Sequence, residues 1–372
     1  MTKKTQNKST GVIYLLTWSN SDLQIVGPKN DKLEKLLSFT KKELVMDFRT
    51  YQRTTKRSNV KVFNVNLNYG PGIVCYQTFQ GLLDRVKALL EKQGHSVIVN
   101  DSRIPFKEPK FSRMQGFRFN QEELTKQLLS ANRSGLLTAP TRFGKSVIIT
   151  NIINAFPDTK TLVLAPGVDL LPQLVDTIKK YCVGERDVKG IFSGSKDKFE
   201  SDDITVCSFD SMHKLDKGSF KLIIIDEAHA AVSDSRLPQL LEFTNARIYG
   251  LGATLEGRWS GNDICIEGVI GPVLTGVSYL EAVEMGALCP IHAKIIKVKY
   301  TPKGYKNRNT AYNNYLFKNK EFHELLGKLS NEIIPKDWQT LVFINNEEEA
   351  KAIQPYVAGS VLAMDKLMKN KK

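Results

Sequence analysis

Two short runs, "LLTAPTRFGKSVIIT" at residues 136–150 and "KLIIIDEAHA" at residues 221–230, place ionisable side chains directly after aliphatic stretches. In the first, the small polar turn Ala139 to Ser146 follows a run that reads as a strand and opens one that reads as a helix. Backbone N–H groups and the positive end of the helix dipole then converge on one point, a site suited to phosphate. Ala139, Thr141 and Gly144 build that turn, Lys145 reaches the β and γ phosphates of ATP, and Ser146 holds Mg²⁺. Ala139 stands where the G-x-x-x-x-G-K-[ST] pattern has its first glycine, and a lone match of this kind carries a real false-positive rate. In the second run two carboxylates end a stretch long enough to be a buried strand, which is costly unless a cation waits there. Mg²⁺ bound by Asp226, with Glu227 activating an attacking water, accounts for both acids. The alternative is a solvated turn in which Asp226 only caps a helix. His229 alone reads as a satisfied polar residue and gains weight beside D-E-A.

The elements that must carry these residues follow from the surrounding pattern. From about residue 117, near-continuous apolar strands alternate with amphipathic helices: "GLLTAP", a helix from Lys145, "TLVLAP", the helix "LLPQLVDTIKKYC", "ITVCS", "KLIIID" and "RIYGLGAT". That alternation predicts a parallel sheet covered on both faces, with ligands beyond the carboxyl ends of its strands. Ahead of it, "GVIYLLTW", "KVFNVNLNY", "GIVCYQ" and "HSVIVN" read as strands, and "DKLEKLLSFT" and "QGLLDRVKALLEKQG" as helices. They make a small α+β unit. Between its first helix and the next strand, "FRTYQRTTKRSNVK" mixes Arg49, Arg53, Lys56, Arg57 and Lys61 with Tyr51. It reads as a loop that grips phosphates and stacks on a base, the alternative being a solvated basic loop. The connector "DSRIPFKEPKFSRMQG", with Pro105 and Pro109, marks a boundary.

Composition bounds the partners. The 372 residues carry a formal net charge of +14, and residues 1–110 hold 19 Lys and Arg against 9 Asp and Glu, a net of +10 that leaves +4 for the rest. A polyanion is the expected partner of that first third, an anionic membrane surface the rival. No apolar run approaches the roughly 18 to 20 residues of a membrane span, and "MTKKTQNKST" has no apolar signal core behind its lysines, so a cytoplasmic protein is expected. Cys75, Cys182, Cys207, Cys265 and Cys289 lie far apart, mostly among aliphatic residues. They predict buried, reduced thiols in place of disulfides or zinc.

With the motifs in this order, the chain resembles superfamily 2 helicases and translocases with a DEAH-type box, over about residues 115–350. "FRFNQEE" resembles the adenine-contacting stretch, which assigns Arg118 and Gln121 to that role. "LVLAPGVDLLPQ" and "ITVCSFDSM" resemble segments that touch the nucleic acid strand, nominating Pro166, Gly167, Gln173 and Ser208. "GLGATLEGR" resembles the segment coupling the ATP site to the strand-binding surface, through Ala253 and Thr254, with Arg258 following. The domain order most resembles the phage recombination and repair helicases that move branched DNA. The resemblance implies a RecA-like lobe at 111–280 and, at 281–372, a hinge ("SYLEAVEMGALCPI") and the start of a second RecA-like lobe ("HAKIIKVKY", "TLVFINNEEEA"), preceded by the basic α+β domain at 1–110. It further implies an ATP-dependent DNA helicase on forked, branched or duplex DNA, with no membrane and no obligate protein partner. Nothing beyond Val342 to Ala350 resembles the family's last two motifs, which supply an arginine finger, so a longer natural chain and weak turnover of this one are expected. The basic stretch "KVKYTPKGYKNRNTAYNNYLFKNK" reads equally as a strand-contacting element or a mobile loop. Rival readings are a restriction-system motor subunit, an RNA helicase, and a DNA-binding protein with an ATP-gated grip.

Overall fold

The computed structural model describes residues 11–47, 52–167, 171–191, 201–255, 257, 260–293, 318–335, 338, 340–343 and 347–361. Its contacts divide the chain into two compact units, Met1–Glu43 with Lys56–Ile291 and Leu44–Thr55 with His292–Lys372.

The N-terminal module contains β1 (Ile13–Trp18), β2 (Asp22–Pro28), α1 (Asp31–Leu36), β3 (Ser38–Asp47), β4 (Gln52–Lys61), β5 (Phe63–Asn66), β6 (Ile73–Phe79), α2 (Leu83–Lys92) and β7 (Ser96–Asp101). Five strands form one sheet in the order β5-β6-β2-β1-β7, antiparallel except for the parallel β1/β7 pair. Period-2 alternation explains its sidedness: Tyr14, Leu16 and Trp18 of β1 and Leu23 and Ile25 of β2 are buried, while Ile13 and Leu15 are exposed. Helix α2 returns Leu83, Val86 and Leu90 to that core, and the Asn30 side chain caps α1 by accepting from the Lys32 and Leu33 N–H groups. Strand β2 was not foreseen. The expected phosphate-gripping loop is also corrected: Gln52–Lys61 is strand β4, paired with β3 in a two-stranded sheet, so Arg53, Lys56, Arg57 and Lys61 lie on a strand. A ribbon that buries neither face shows no apolar alternation, which is why it reads as loop. Arg49 and Tyr51 lie outside the described residues.

The next layer is a seven-stranded parallel sheet, α/β in class as expected. It comprises β8 (Gly135–Thr138), β9 (Thr161–Ala165), β10 (Val188–Ile191), β11 (Ile204–Ser208), β12 (Leu222–Ile225), β13 (Arg247–Gly252) and β14 (Val273–Gly276), in the order β10-β11-β9-β12-β13-β8-β14. Its helices are α3 (Gln121–Ser130), α4 (Lys145–Ala155), α5 (Leu171–Tyr181), α6 (Leu237–Leu241), α7 (Asp263–Ile270) and α8 (Tyr279–Glu284). All residues of β9, β11 and β12 are buried, as strands covered on both faces must be. One face packs on α3, α4 and α5 through Leu128, Ile149, Ile152, Val163, Ile178 and Ile224. On the other face a single core runs from Leu23, Leu82 and Val86 of the N-terminal module to Ile223, Ile266 and Val269 of the lobe.

That shared core is reinforced by polar contacts and by backbone closeness. Gln80 is buried and donates from Nε2 to the Val269 carbonyl at 3.1 Å. A Cβ on Gly81 would collide with the Glu267 carbonyl, so only glycine fits there. Arg85 forks onto Glu267, Nε to Oε1 at 2.7 Å and Nη2 to Oε2 at 2.5 Å. The connector is packed as well: the Asn151 side chain pairs with the Gln115 backbone, accepting from its N–H at 2.7 Å and donating to its carbonyl at 2.9 Å.

In the second unit the helices Lys320–Lys328 and Glu347–Ile353 are described. Thr340–Phe343, expected to belong to the start of a second lobe, has no regular structure, and Phe343 is 92% exposed. Most of "KVKYTPKGYKNRNTAYNNYLFKNK" and of "HAKIIKVKY" lies outside the described residues. Among the described residues no helix is long and apolar enough to cross a membrane. All five cysteines are free; Cys75, Cys207 and Cys265 are buried, whereas Cys289 is exposed, against expectation. Burial pushes the Cys265 thiol up to about 11.

Candidate functional site

Because the seven strands are parallel, their carboxyl ends lie along one edge of the sheet. The turn after β8 and the D-E-A-H run after β12 both emerge there. Gly144 caps the N-terminus of α4 in the left-handed conformation, φ 91°, and a Cβ at this position would stand 2.5 Å from Gln121 Nε2. Glycine is therefore required twice over, by torsion and by space. Lys145, the first residue of α4, is buried, and its Nζ lies 3.1 Å from Glu227 Oε1. The other Glu227 oxygen lies 3.3 Å from His229 Nδ1. Asp226 Oδ1 accepts from the Glu227 N–H at 3.0 Å. Burial raises the Asp226 carboxyl above its ordinary range; the Lys145 ammonium opposes that shift and the Glu227 carboxylate adds to it. Glu227 itself is left-handed, φ 49°, a strained backbone for a residue with a side chain.

Lys145, Asp226, Glu227 and His229 thus come together, with Ser146 next in chain on the first turn of α4. Ala139 is buried, Thr141 is exposed, and Thr254 is exposed just beyond β13. The residues fit Mg²⁺ bound jointly with a nucleotide. Among the described residues no three or more His, Cys, Asp or Glu side chains group as a metal site. One half-buried carboxylate and one hydroxyl suffice for an ion that keeps its waters and takes phosphate oxygens. The raised Asp226 carboxyl is a group that such a cation would relieve.

Gln121 is buried, with Oε1 accepting from the Arg118 N–H at 2.9 Å and Nε2 donating to the Phe143 carbonyl at 2.6 Å. It therefore holds the loop between β8 and α4 directly, a role its sequence position did not announce. Arg118 is exposed on the chain entering α3. Pro166 and Gly167 follow β9 at the carboxyl edge, Gly167 with φ 76°, and Gln173 is exposed on the first turn of α5. Ser208 does not suit the strand-contacting role: it is 1% exposed and donates its hydroxyl to Ser211 Oγ at 3.1 Å. Its position ending a fully buried strand is the reason. Arg258 lies outside the described residues. On β4, Lys56, Arg57 and Lys61 are exposed, and Lys61 Nζ sits 5.6 Å from the Phe63 ring centroid. Sequence reading passed over Arg142, a non-glycine residue inside the loop at φ 68°.

A family model described as "Type III restriction enzyme, res subunit" (ResIII) matches residues 115–257. The crystal structure of the UvsW helicase from bacteriophage T4 is similar at 17% identity with a TM-score of 0.54, over 72% of this chain and 100% of that one. A second crystal structure of T4 UvsW is similar at 15% identity with a TM-score of 0.53, over 97% of this chain and 78% of that one. No curated protein matches the chain in sequence. The fold is similar to that of the two T4 UvsW structures, and the ResIII match lies within the parallel-sheet lobe.

Proposed function

We propose that the chain is an ATP-dependent DNA helicase or translocase acting on forked, branched or duplex DNA. The observation that carries this reading is the convergence of Lys145, Asp226, Glu227 and His229 behind a left-handed glycine at the carboxyl edge of a parallel sheet. The helicase-type fold and the basic surplus of residues 1–110 support it. In this mechanism Lys145 exchanges Glu227 for the β and γ phosphates, since a triphosphate offers its ammonium more charge than one carboxylate. Glu227, released from Lys145 and still held by His229, accepts a proton from the attacking water. Asp226 and Ser146 would hold Mg²⁺, which would supply charge neutralisation of the polyphosphate. Arg118 and the unused donor and acceptor capacity of the Gln121 amide meet the adenine. Thr254 lies between the nucleotide and the nucleic acid face, where Pro166, Gly167 and Gln173 contact the strand. Arg53, Lys56, Arg57 and Lys61 of β4 grip phosphates without reading base edges, so the protein selects DNA by shape.

Steady-state ATPase, measured alone and with linear duplex, forked DNA and RNA, tests the reading. Stimulation by DNA and strand displacement at forks support it. ATP binding and tight DNA binding with no turnover under any condition leave the ATP-gated DNA-binding protein instead. The ResIII match favours one further reading, a restriction-system motor subunit, which differs in needing a partner subunit before DNA stimulates turnover.

A further inference from the structure

Ala139 to Ser146 contains two left-handed residues, Gly144 at φ 91° and Arg142 at φ 68°. The left-handed region crowds any Cβ against the following carbonyl, so conformation alone selects glycine, or Asn and Asp with their local hydrogen bonds. Gly144 obeys that preference and Arg142 does not. Nor does the Arg142 side chain return anything to the fold. It is exposed, and its guanidinium makes no hydrogen bond or ion pair among the described residues. The loop is fixed by other groups: Gln121 Nε2 donates to the Phe143 carbonyl at 2.6 Å, and the Phe143 N–H to the Pro140 carbonyl at 3.2 Å. Lys145, three residues on, is by contrast buried and engaged by Glu227.

We infer that Arg142 is a phosphate-binding residue, its guanidinium contacting the polyphosphate of a bound nucleoside triphosphate alongside Lys145. The inference rests on the nucleotide-site reading above. Arg142 stands three residues before Lys145 in the same loop, so its long, exposed side chain is within reach of an anion held by the loop's N–H groups. A guanidinium there offers a planar pair of donors to two phosphate oxygens, where Lys145 offers a point charge. Strain kept at one position with no contact inside the protein is then explained by a contact to the ligand.

The test uses the full chain with Arg142→Gly, Arg142→Gln and Arg142→Lys beside Lys145→Ala, and reads the affinities for ATP, ADP and AMP at two salt concentrations. Arg142→Gly is expected to weaken ATP binding about tenfold or more, to leave AMP binding unchanged, and to flatten the salt dependence of ATP affinity. Its thermal midpoint without nucleotide is expected to be no lower than that of the parent, because glycine relieves the torsion. Arg142→Gln, which keeps length without charge, should behave likewise, and Arg142→Lys should recover part of the affinity. ATP affinity within twofold of the parent in both uncharged variants, while Lys145→Ala weakens binding about tenfold or more, overturns the Arg142 assignment and leaves the nucleotide site standing. Absence of ATP binding by the parent chain overturns both.

Discussion

Lys145 and Glu227 neutralise each other at 3.1 Å in this structure, and each is expected to answer differently to truncation. Lys145→Ala should weaken ATP and ADP binding by about 1.5 to 3 kcal/mol, the usual worth of a charge-assisted contact, while DNA binding persists. Calorimetric titration of both ligands checks it, and equal nucleotide affinity would remove Lys145 from the phosphate site. Glu227→Gln keeps the shape and loses the base, so ATP and DNA should still bind while turnover falls about 10² to 10⁴-fold. Near-normal single-turnover hydrolysis would show that another group activates the water. Asp226 brings a stability effect with a definite sign. Its carboxyl titrates above its unfolded value because burial disfavours the charge. The native state therefore holds the proton more tightly, and stability falls as pH rises from the unfolded pKa through the folded one. At neutral pH the ionised group is a cost, so Asp226→Asn should raise the thermal midpoint without nucleotide while abolishing Mg²⁺-dependent hydrolysis. A lower midpoint would mean that the attraction of the Lys145 ammonium for the carboxylate outweighs the cost of desolvating its charge.

At the scale of elements, the loop between β8 and α4 makes the strictest demand on sequence. Gly144→Ala meets two penalties, a φ of 91° and a Cβ 2.5 Å from Gln121 Nε2. The torsional part costs about 1 to 2 kcal/mol. On a Gln121→Ala background the collision is gone and the torsion remains, so adding Gly144→Ala there should lower the thermal midpoint by less than it does in the parent chain, but still lower it. No loss on that background would place the whole effect in packing. Asp226 and Glu227 were legible in sequence because they follow the all-apolar strand β12, and Lys145 and Ser146 because a small polar turn interrupts the apolar runs of β8 and α4. Gln121 as a clamp on Phe143 was not, since a buried amide and an exposed one share the same letter. Strand β2 escaped notice because "DLQIVGP" ends in Gly27 and Pro28, which read as turn residues although they pair with Val74 and Ile73 of β6. Strand β4 escaped for the opposite reason: its Thr54, Thr55 and Val60 favour extended backbone, yet no buried face imposes alternation. The coarse α/β order of the lobe was legible throughout, because its short strands are mostly apolar, with β9, β11 and β12 buried along their whole length.

At the scale of the molecule, the question is whether the basic first third acts as a grip or as a brace. The structure joins it to the lobe by a common core, by Gln80 against Val269, by Gly81 against Glu267 and by the Arg85 fork. Removing residues 1–110 would strip Leu23, Leu82 and Val86 from that core and expose Ile266 and Val269, so a deleted protein is expected to be unstable for reasons unrelated to DNA. Charge reversal on the ribbon separates the two roles. Lys56, Arg57 and Lys61 are exposed on β4, and replacing all three by Glu should leave the thermal midpoint within a degree or two of the parent. If these residues hold phosphates, each lost contact takes roughly 0.9 from the slope of log K against log salt on duplex DNA, about 2.7 for three. Preference for forked over linear DNA should fall with the slope, because shape selection needs a second backbone contact besides those of the motor lobe. ATP binding should be unchanged, since Lys145 is paired with Glu227 and not with a residue of β4. Titrations of forked and linear DNA at several salt concentrations decide between the roles. An unchanged slope with unchanged fork preference makes the ribbon's charge solvated surface and the N-terminal module a brace for the lobe.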